Sequence, residues 1–485
     1  MRTLVIDVGT SGVRAAIVND DTSITNLVHE PFVPDSPAPG LVEFSADGLW
    51  DTVMRVSFAA MDGTPVDAVG ITNQRASVVG WRRSTGRSIG PAIGWQDLRT
   101  VGDCIMTKVE HGIGLAPNQS ATKISWLMSN CLDEAERRGG DVLFGTVDSW
   151  LVWKLSEGTA HVTDHTNAAV TGLSLPDGSA WDERVLTVLG IDARNLPSIV
   201  PTSGPIATAS MLPGAPPITA MAGDQQASLV GQGCITPGTA KITFGTGGML
   251  DMFVGETPPS AAARSRSGTF PIVAYSTSGS RHFGVEAIML SAGTNIEWLR
   301  EDMGLIERAE DSDVVAASVP TSEGVVYVPA LLGLGTPHWD YGARGTLLGI
   351  TRGTTRSHIV RAVLEGIAHR GVDLIEAAES DSGLSIGTVN IDGGMSRNGT
   401  FVQALADAAG RAVRVSPVTE ATTLGAGLLA GCAVGQWPSL ADAVGRINGF
   451  RTITPLGEPG LSRQQWGEAV SRARSWIPDL SSLDF

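Results

Sequence analysis

The stretch Leu4–Val18, LVIDVGTSGVRAAIV, decides how the rest of the chain is read. An apolar, β-branched run leads into a turn of glycine, threonine and serine, and a run rich in valine, isoleucine and alanine leads out. This predicts a hairpin whose tip, Gly9 to Gly12, is polar and free of bulky side chains. The arrangement returns at Ala240–Val254, AKITFGTGGMLDMFV, where Gly245, Thr246, Gly247 and Gly248 separate two strand-like runs. Two hairpins of one design predict two related halves. The punctuation Thr236, Pro237, Gly238 places the boundary at residues 233 to 238, giving domains 1–235 and 236–485. A chain of 485 residues has the length for two such domains and a deep cleft.

Outward from the hairpins, the pattern alternates between periods. Ile124 to Leu132 and Val185 to Leu189 read as helices, and Ala68 to Ile71 as a strand. In the second half Ser357 to Ser380 reads as a long amphipathic helix, followed by a strand at Thr388 to Ile391 and another glycine turn. This is the alternation of a layered α/β protein. Hydrophobic content of 42%, charged content of 17% and 59 glycines fit a globular, loop-rich chain of that class and exclude a disordered or fibrous one.

A net charge of −16 opposes nucleic acid and anionic lipid as partners. No uninterrupted apolar run reaches the roughly 18 residues of a membrane span. The chain enters its first strand without a leader pattern, and Cys104, Cys131, Cys234 and Cys432 lie far apart with no CxxC spacing. Reduced, buried thiols in a cytoplasmic protein are expected, with self-association into a homo-oligomer left open.

Backbone N–H groups can wrap phosphate oxygens only where side chains stand clear, hence the use of Gly, Ser and Thr in phosphate turns. Four such turns occur: Gly9 to Gly12, the GDQQ segment from Gly223, Gly245 to Gly248, and Gly393 to Ser396. No GxxxxGK[ST] is present, so phosphates must be held without a P-loop. GAGLLA from Gly425 matches a dinucleotide-type pattern but continues a helical run, and reads as close helix packing. Asp7, before the first turn, is placed to hold Mg²⁺ against nucleotide phosphates, or to cap the turn. Arg14 is placed to neutralise a transferring phosphoryl group, or is a surface charge. Asp224 can accept the proton of an attacking hydroxyl, or cap a helix. His161, Asp164 and His165 are read as a solvated loop or helix face, and no zinc signature or aromatic nucleic-acid platform is found.

With these pieces in order, the sequence resembles the FGGY family of carbohydrate kinases, its glycerol kinase branch in particular. The resemblance rests on DVGTSGVR at Asp7, ITNQR at Ile71, WQDLR at Trp95, SATKISWL at Ser120, TDHTNA at Thr163, GDQQAS at Gly223, FGTGGM at Phe244, the Gly345 to Glu365 stretch, IDGGMSRN and LGAGLLAGCAVGQW. It implies two actin-like, ribonuclease H-like ATPase domains flanking a cleft for nucleotide and substrate. ATP and Mg²⁺ are the implied cofactors, and a small polyol or sugar the implied partner. By position, Asp224 takes the role of catalytic base and Asp7 that of the Mg²⁺-associated carboxylate. Thr10, Ser11, Arg14, Thr246, Gly293, Gly394 and Asn398 take the ATP and phosphate contacts.

The implied acceptor pocket comprises Arg75, Ala76, Trp95, Asn118, Asp224, Gln225 and Met249, and it departs from the family at three places. Ala76 stands where a carboxylate is expected, and Asn118 and Met249 where aromatic rings are expected. The loss of an acceptor and of two rings predicts a four- or five-carbon polyol such as erythritol or a pentitol. Glycerol itself, or a ketose of the xylulose or ribulose type, is the alternative acceptor. An actin-like regulatory ATPase is the alternative of another class, and it gives Arg75, Trp95 and Asp224 no reason to resemble a polyol site.

Overall fold

A computed structural model describes residues 1–259, 267–457 and 460–482. The first half builds a six-stranded sheet from β1 (Arg2–Val8), β2 (Gly12–Asn19), β3 (Ile24–Pro31), β4 (Ala68–Asn73), β5 (Ser203–Thr208) and β6 (Pro217–Gly223), in the order β5-β6-β4-β1-β2-β3. β1, β2 and β3 run antiparallel, β4 joins β1 and β6 joins β4 in parallel, and β5 closes the edge antiparallel. The second half repeats the design with β7 (Ala240–Phe244), β8 (Gly248–Gly255), β9 (Phe270–Ser276), β10 (Arg281–Met289), β11 (Thr388–Asp392), β12 (Ala412–Val415) and β13 (Arg451–Ile453). Their order is β9-β10-β8-β7-β11-β12-β13, again with an antiparallel hairpin followed by two parallel strands and an antiparallel edge. The strands of each sheet fall on one side of the connection 232–239.

The hairpins form because β-branched runs meet turns that glycine can make tightly. Helices form where the period changes. α1 (Ala46–Met61) starts at Ser45, whose side chain accepts from the Gly48 N–H, and buries Leu49, Val53 and Val56 against the first sheet. α2 (Asp224–Gly231) follows β6 directly. α3 (Arg356–Ser382) is the long helix expected from Ser357 to Ser380, and it packs Val363, Ile367 and Leu374 under the second sheet. α4 (Gly399–Ala409) and α5 (Ala421–Ala433) complete the set that positions the cleft.

GAGLLA lies within α5, and its glycines do what close packing requires. A Cβ on Gly425 would stand 1.8 Å from the Ala227 carbonyl oxygen, and one on Gly231 would stand 1.9 Å from that of Ala421. α2 and α5 thus cross backbone to backbone. α5 also lies on the first sheet, where a Cβ at Gly70 would meet the Ala426 oxygen at 2.7 Å. Thr219 and Ser203 donate side-chain hydrogen bonds to the carbonyls of Ala430 and Leu429. A helix from the second half therefore completes the core of the first, together with Val5, Ala220 and Ala222.

Two expectations are corrected. The His161 to His165 segment is not a solvated face: Asp164 is wholly buried and His161 packs edge-on to Trp81 at 5.2 Å while bonding the Phe144 carbonyl. Asp224 does not cap its helix, because Gly223 is the cap and Asp224 the first helical residue. The four cysteines are free, with Cys104 and Cys234 buried and the other two half-buried. Among the described residues no helix is long and apolar enough to cross a membrane.

Gly425→Ala should lower stability by at least about 1 kcal/mol, because backbone atoms must move apart to admit the methyl group. Gly467→Ala, in a helix where nothing lies within 4 Å of the added carbon, should be neutral or stabilising. Denaturant unfolding of the two variants checks both signs.

Candidate active site

The site lies where the ends of β1, β4 and β6 meet the face of β7, β8 and β10. Asp7, next to last in β1, is buried and accepts a bond from Thr423 of α5 at 3.2 Å. Burial, opposed by Arg14, pushes its carboxyl up to about 7, and the charges of Asp224 and Glu420 add to the rise. Arg14 stands 3.9 Å from Asp7 and 3.3 Å from Glu420. The first turn closes with the Gly9 N–H donating to the Gly12 carbonyl, leaving Thr10 and Ser11 at its tip. Thr10 accepts a hydrogen bond from the Trp95 indole N–H at 3.1 Å, so the first turn and the WQD segment touch.

The loop after β4 is held by several hydrogen bonds. The Gln74 N–H donates to the Val8 carbonyl, and Ser77 bridges Gln74 Oε1 to the Trp95 N–H. Ala76 sits there with φ of 62°, a left-handed conformation unusual for a side chain other than glycine's, and its carbonyl is pinned by Ser120 at 3.1 Å. Strain of this kind persists where the surroundings over-determine it. Lys123 donates to the carbonyls of Gly94 and Trp95, fixing the WQD segment from below.

Asp224 and Gln225 begin α2 and face the cleft. Asp224 keeps 28% of its side chain exposed, and Arg75 Nε stands 3.4 Å from its Oδ1. Burial raises the Asp224 carboxyl above its usual range, with Arg75 and Lys241 opposing the rise. The buried Asp164, which reads as unremarkable in the sequence, underpins this corner. It accepts from Thr166 Oγ1, and Thr166 in turn accepts the Gly223 N–H just before Asp224.

Sequence reasoning missed three residues on the opposite wall. Lys241 and Asp251 face each other across the β7–β8 hairpin, and Asp251 faces Glu286 across β8 and β10. Lys241 and Asp251 are wholly buried and 2.7 Å apart, and Glu286 Oε2 lies 2.7 Å from Arg75 Nη1. An ionic row thus runs from Lys241 through Asp251, Glu286 and Arg75 to Asp224, joining the two halves. Burial pushes Glu286 up to about 7, with Arg75 lowering it and Asp251 raising it. Arg75 stays charged above its ordinary range: burial lowers it, and Glu286, Asp224 and Asp251 together outweigh burial. The signal was present in the hairpin, since pairing Phe244 with Gly248 around the turn sets Lys241 opposite Asp251 as charges within apolar strands.

The remaining predicted residues divide. Met249 is half-buried and, two positions before Asp251, shares its face of β8. Asn118 is exposed in the loop ahead of the helix Ala121–Cys131. Thr246 and Gly293 come together, the Gly293 N–H donating to Gly245 and the Ala292 N–H to Thr246. Gly394 is exposed, and Asn398 is the cap of α4, accepting from the Phe401 N–H and donating to Ser312. Asn398 thus fixes the start of that helix beside the glycine turn.

Comparison with known proteins gives this geometry its context. The N-terminal domain of the FGGY family of carbohydrate kinases matches residues 2–231, and the C-terminal domain of the same family matches residues 240–434. A glycerol kinase of Solidesulfovibrio magneticus is 38% identical over 498 residues, covering 98% of this chain and 99% of its own. One from Halorhodospira halophila is 40% identical over 495 residues, covering 98% and 96%. Among solved structures, Plasmodium falciparum glycerol kinase with ADP superposes with a TM-score of 0.88 at 26% identity, covering 100% of this chain and 99% of that one. A xylulose kinase of Lactobacillus acidophilus shares the fold, with a TM-score of 0.80 at 20% identity over 99% and 96% of the two chains. The duplicated sheets, the glycine turns and the carboxylate-lined cleft are those of an actin-like, ribonuclease H-like kinase, and the chain belongs to the FGGY family of carbohydrate kinases as an ATP-dependent phosphotransferase acting on a sugar or polyol.

Proposed function

We propose that the acceptor is a polyol longer than glycerol, of four or five carbons, such as erythritol or a pentitol, bound mainly by residues 1–235 while residues 236–485 hold ATP. The observation that carries this reading is Ala76: beside Arg75 the chain presents a methyl group on a backbone pinned by Ser120. A carboxylate there would accept charge-assisted bonds from two hydroxyls, each contributing about 1.5–3 kcal/mol. Without it, short polyols lose their best anchor, and Asn118 and Met249 leave room where rings would stand. Glycerol itself is the second reading, supported by the full-length similarity to relatives named glycerol kinase.

In the reaction, the attacking hydroxyl donates to Asp224, which takes its proton as the bond to phosphorus forms. Arg75 steadies Asp224 as a carboxylate and donates to the acceptor. Thr10, Ser11 and Thr246 present the backbone of the two turns to the phosphates, and Arg14 offsets charge on the group in transit. Gly293, Gly394 and Asn398 line the nucleotide side. Asp7 suits Mg²⁺ on the evidence of its own surroundings: a buried carboxyl, raised by desolvation, is stabilised as an anion by a cation held directly or through water. Bound there, Mg²⁺ would neutralise phosphate oxygens of the nucleotide. Because Mg²⁺ generally retains several waters and takes phosphate oxygens, one protein carboxylate would suffice to hold it.

Asp224→Asn should lower turnover by about 10²- to 10⁴-fold while ADP affinity, read by calorimetry, stays unchanged. Unaltered turnover would remove Asp224 from the role of base. Because the Asp224 carboxyl is raised and the base must be ionised, kcat/KM for the acceptor should fall on its acid side at a pH above the ordinary aspartate range. An acid limb within the ordinary aspartate range would contradict this. Ala76→Glu should shift preference toward glycerol in an ADP-release assay across glycerol, erythritol, threitols, pentitols and ketopentoses. An equal loss on every acceptor would refute the pocket reading.

A further inference from the structure

Lys241 is the one member of the ionic row whose function is not given by the pairing of charges alone. An ammonium has three N–H bonds and no acceptor. Two of them are donated, to Thr243 Oγ1 at 3.1 Å and Gln225 Oε1 at 2.5 Å, while Asp251 Oδ2 stands 2.7 Å away as the counter-charge. Thr243 and Asp251 belong to the hairpin that carries Lys241. Gln225 belongs to α2 of the other half, one residue past Asp224. Because Lys241 can only donate, the atom of Gln225 that faces it must be the carbonyl oxygen, and the orientation of the carboxamide follows. Its NH₂ is turned away from the Lys241 ammonium.

We propose that Lys241 is a positioning residue of the acceptor pocket: it holds the Gln225 carboxamide with its NH₂ toward the acceptor, and Asp251 anchors the Lys241 ammonium for that task. The pocket then has a fixed polarity at its floor. Asp224 accepts from the acceptor, and Gln225 beside it donates to an acceptor oxygen. A carboxamide free to rotate would spend part of its time presenting its oxygen, which repels the lone pairs of a hydroxyl that is giving its proton to Asp224. The lock also ties the pocket to the second half, since a displacement of β7 relative to α2 releases Gln225.

This inference rests on placing Gln225 in the acceptor pocket, and not on the length of the acceptor, so it is measured with whichever polyol or sugar the wild type phosphorylates fastest. Lys241→Met alone would strand Asp251 without its cation, so the test uses the neutral pair Lys241→Met with Asp251→Leu. The pair and Gln225→Ala should each lower acceptor kcat/KM by about three- to tenfold, the worth of one hydrogen bond, with ADP affinity unchanged. The triple variant should be no worse than Gln225→Ala alone, because the pair acts through Gln225. Gln225→Glu leaves the ionic row in place, still accepts from Lys241 and presents no N–H, so it should match Gln225→Ala. Losses that multiply in the triple variant, or wild-type kcat/KM in Gln225→Glu, would overturn the lock. A Gln225→Ala protein with unchanged kcat/KM would instead overturn the placement of Gln225, and the proposal with it.

Discussion

Two helices that touch through their backbones set the geometry of this protein. At the crossing of α2 and α5, Gly231 and Gly425 leave no room for a single carbon between the segments. Any bulkier residue would hold the helices, and the sheets they cover, farther apart. The ionic contacts at the cleft floor span the same gap. Arg75 reaches Glu286 at 2.7 Å and Lys241 reaches Gln225 at 2.5 Å only because the first sheet, α2 and the second sheet stand at this spacing. Close packing and catalytic geometry are one constraint.

The row from Lys241 to Asp224 is expensive in isolation. Charges removed from water cost several kcal/mol each unless geometry is good and neighbours compensate. Here two cations and three carboxyls stand close enough to offset part of that cost, with one excess carboxyl. The excess is expressed as the raised carboxyl of Glu286, opposite Asp251. Such a row adds little net stability over apolar residues of the same shape, but it demands one arrangement of side chains.

Much of the fold was legible because it depends on local rules. Both hairpins, the long helix at Arg356–Ser382 and the strand at Thr388–Asp392 follow from period and turn chemistry, and GAGLLA was readable as packing because no strand preceded it. Long-range partners were harder. Asp164 looked like a surface charge because nothing in TDHTNA reveals that Thr166 will carry its influence to Gly223. Glu286 lies among β10 residues whose partner, Arg75, is in the other half. The glycine turns announce themselves through small residues, whereas the groups packed around them are ordinary charges made special by tertiary burial. Lys241 and Asp251 fall between these cases, since hairpin symmetry alone pairs them.

The placement of α5 has a consequence for how the chain is made. β1, β4 and β6 bury one face in a core shared with α1 and the helix Val147–Leu155, but the residues on the other face, Val5, Ala220 and Ala222, wait for a helix that ends at Ala433. During translation the first half therefore emerges with an apolar face uncovered until nearly the whole polypeptide has left the ribosome. Its folding is finished by the second half, and a nascent chain halted at the boundary would present that face to chaperones or to other chains.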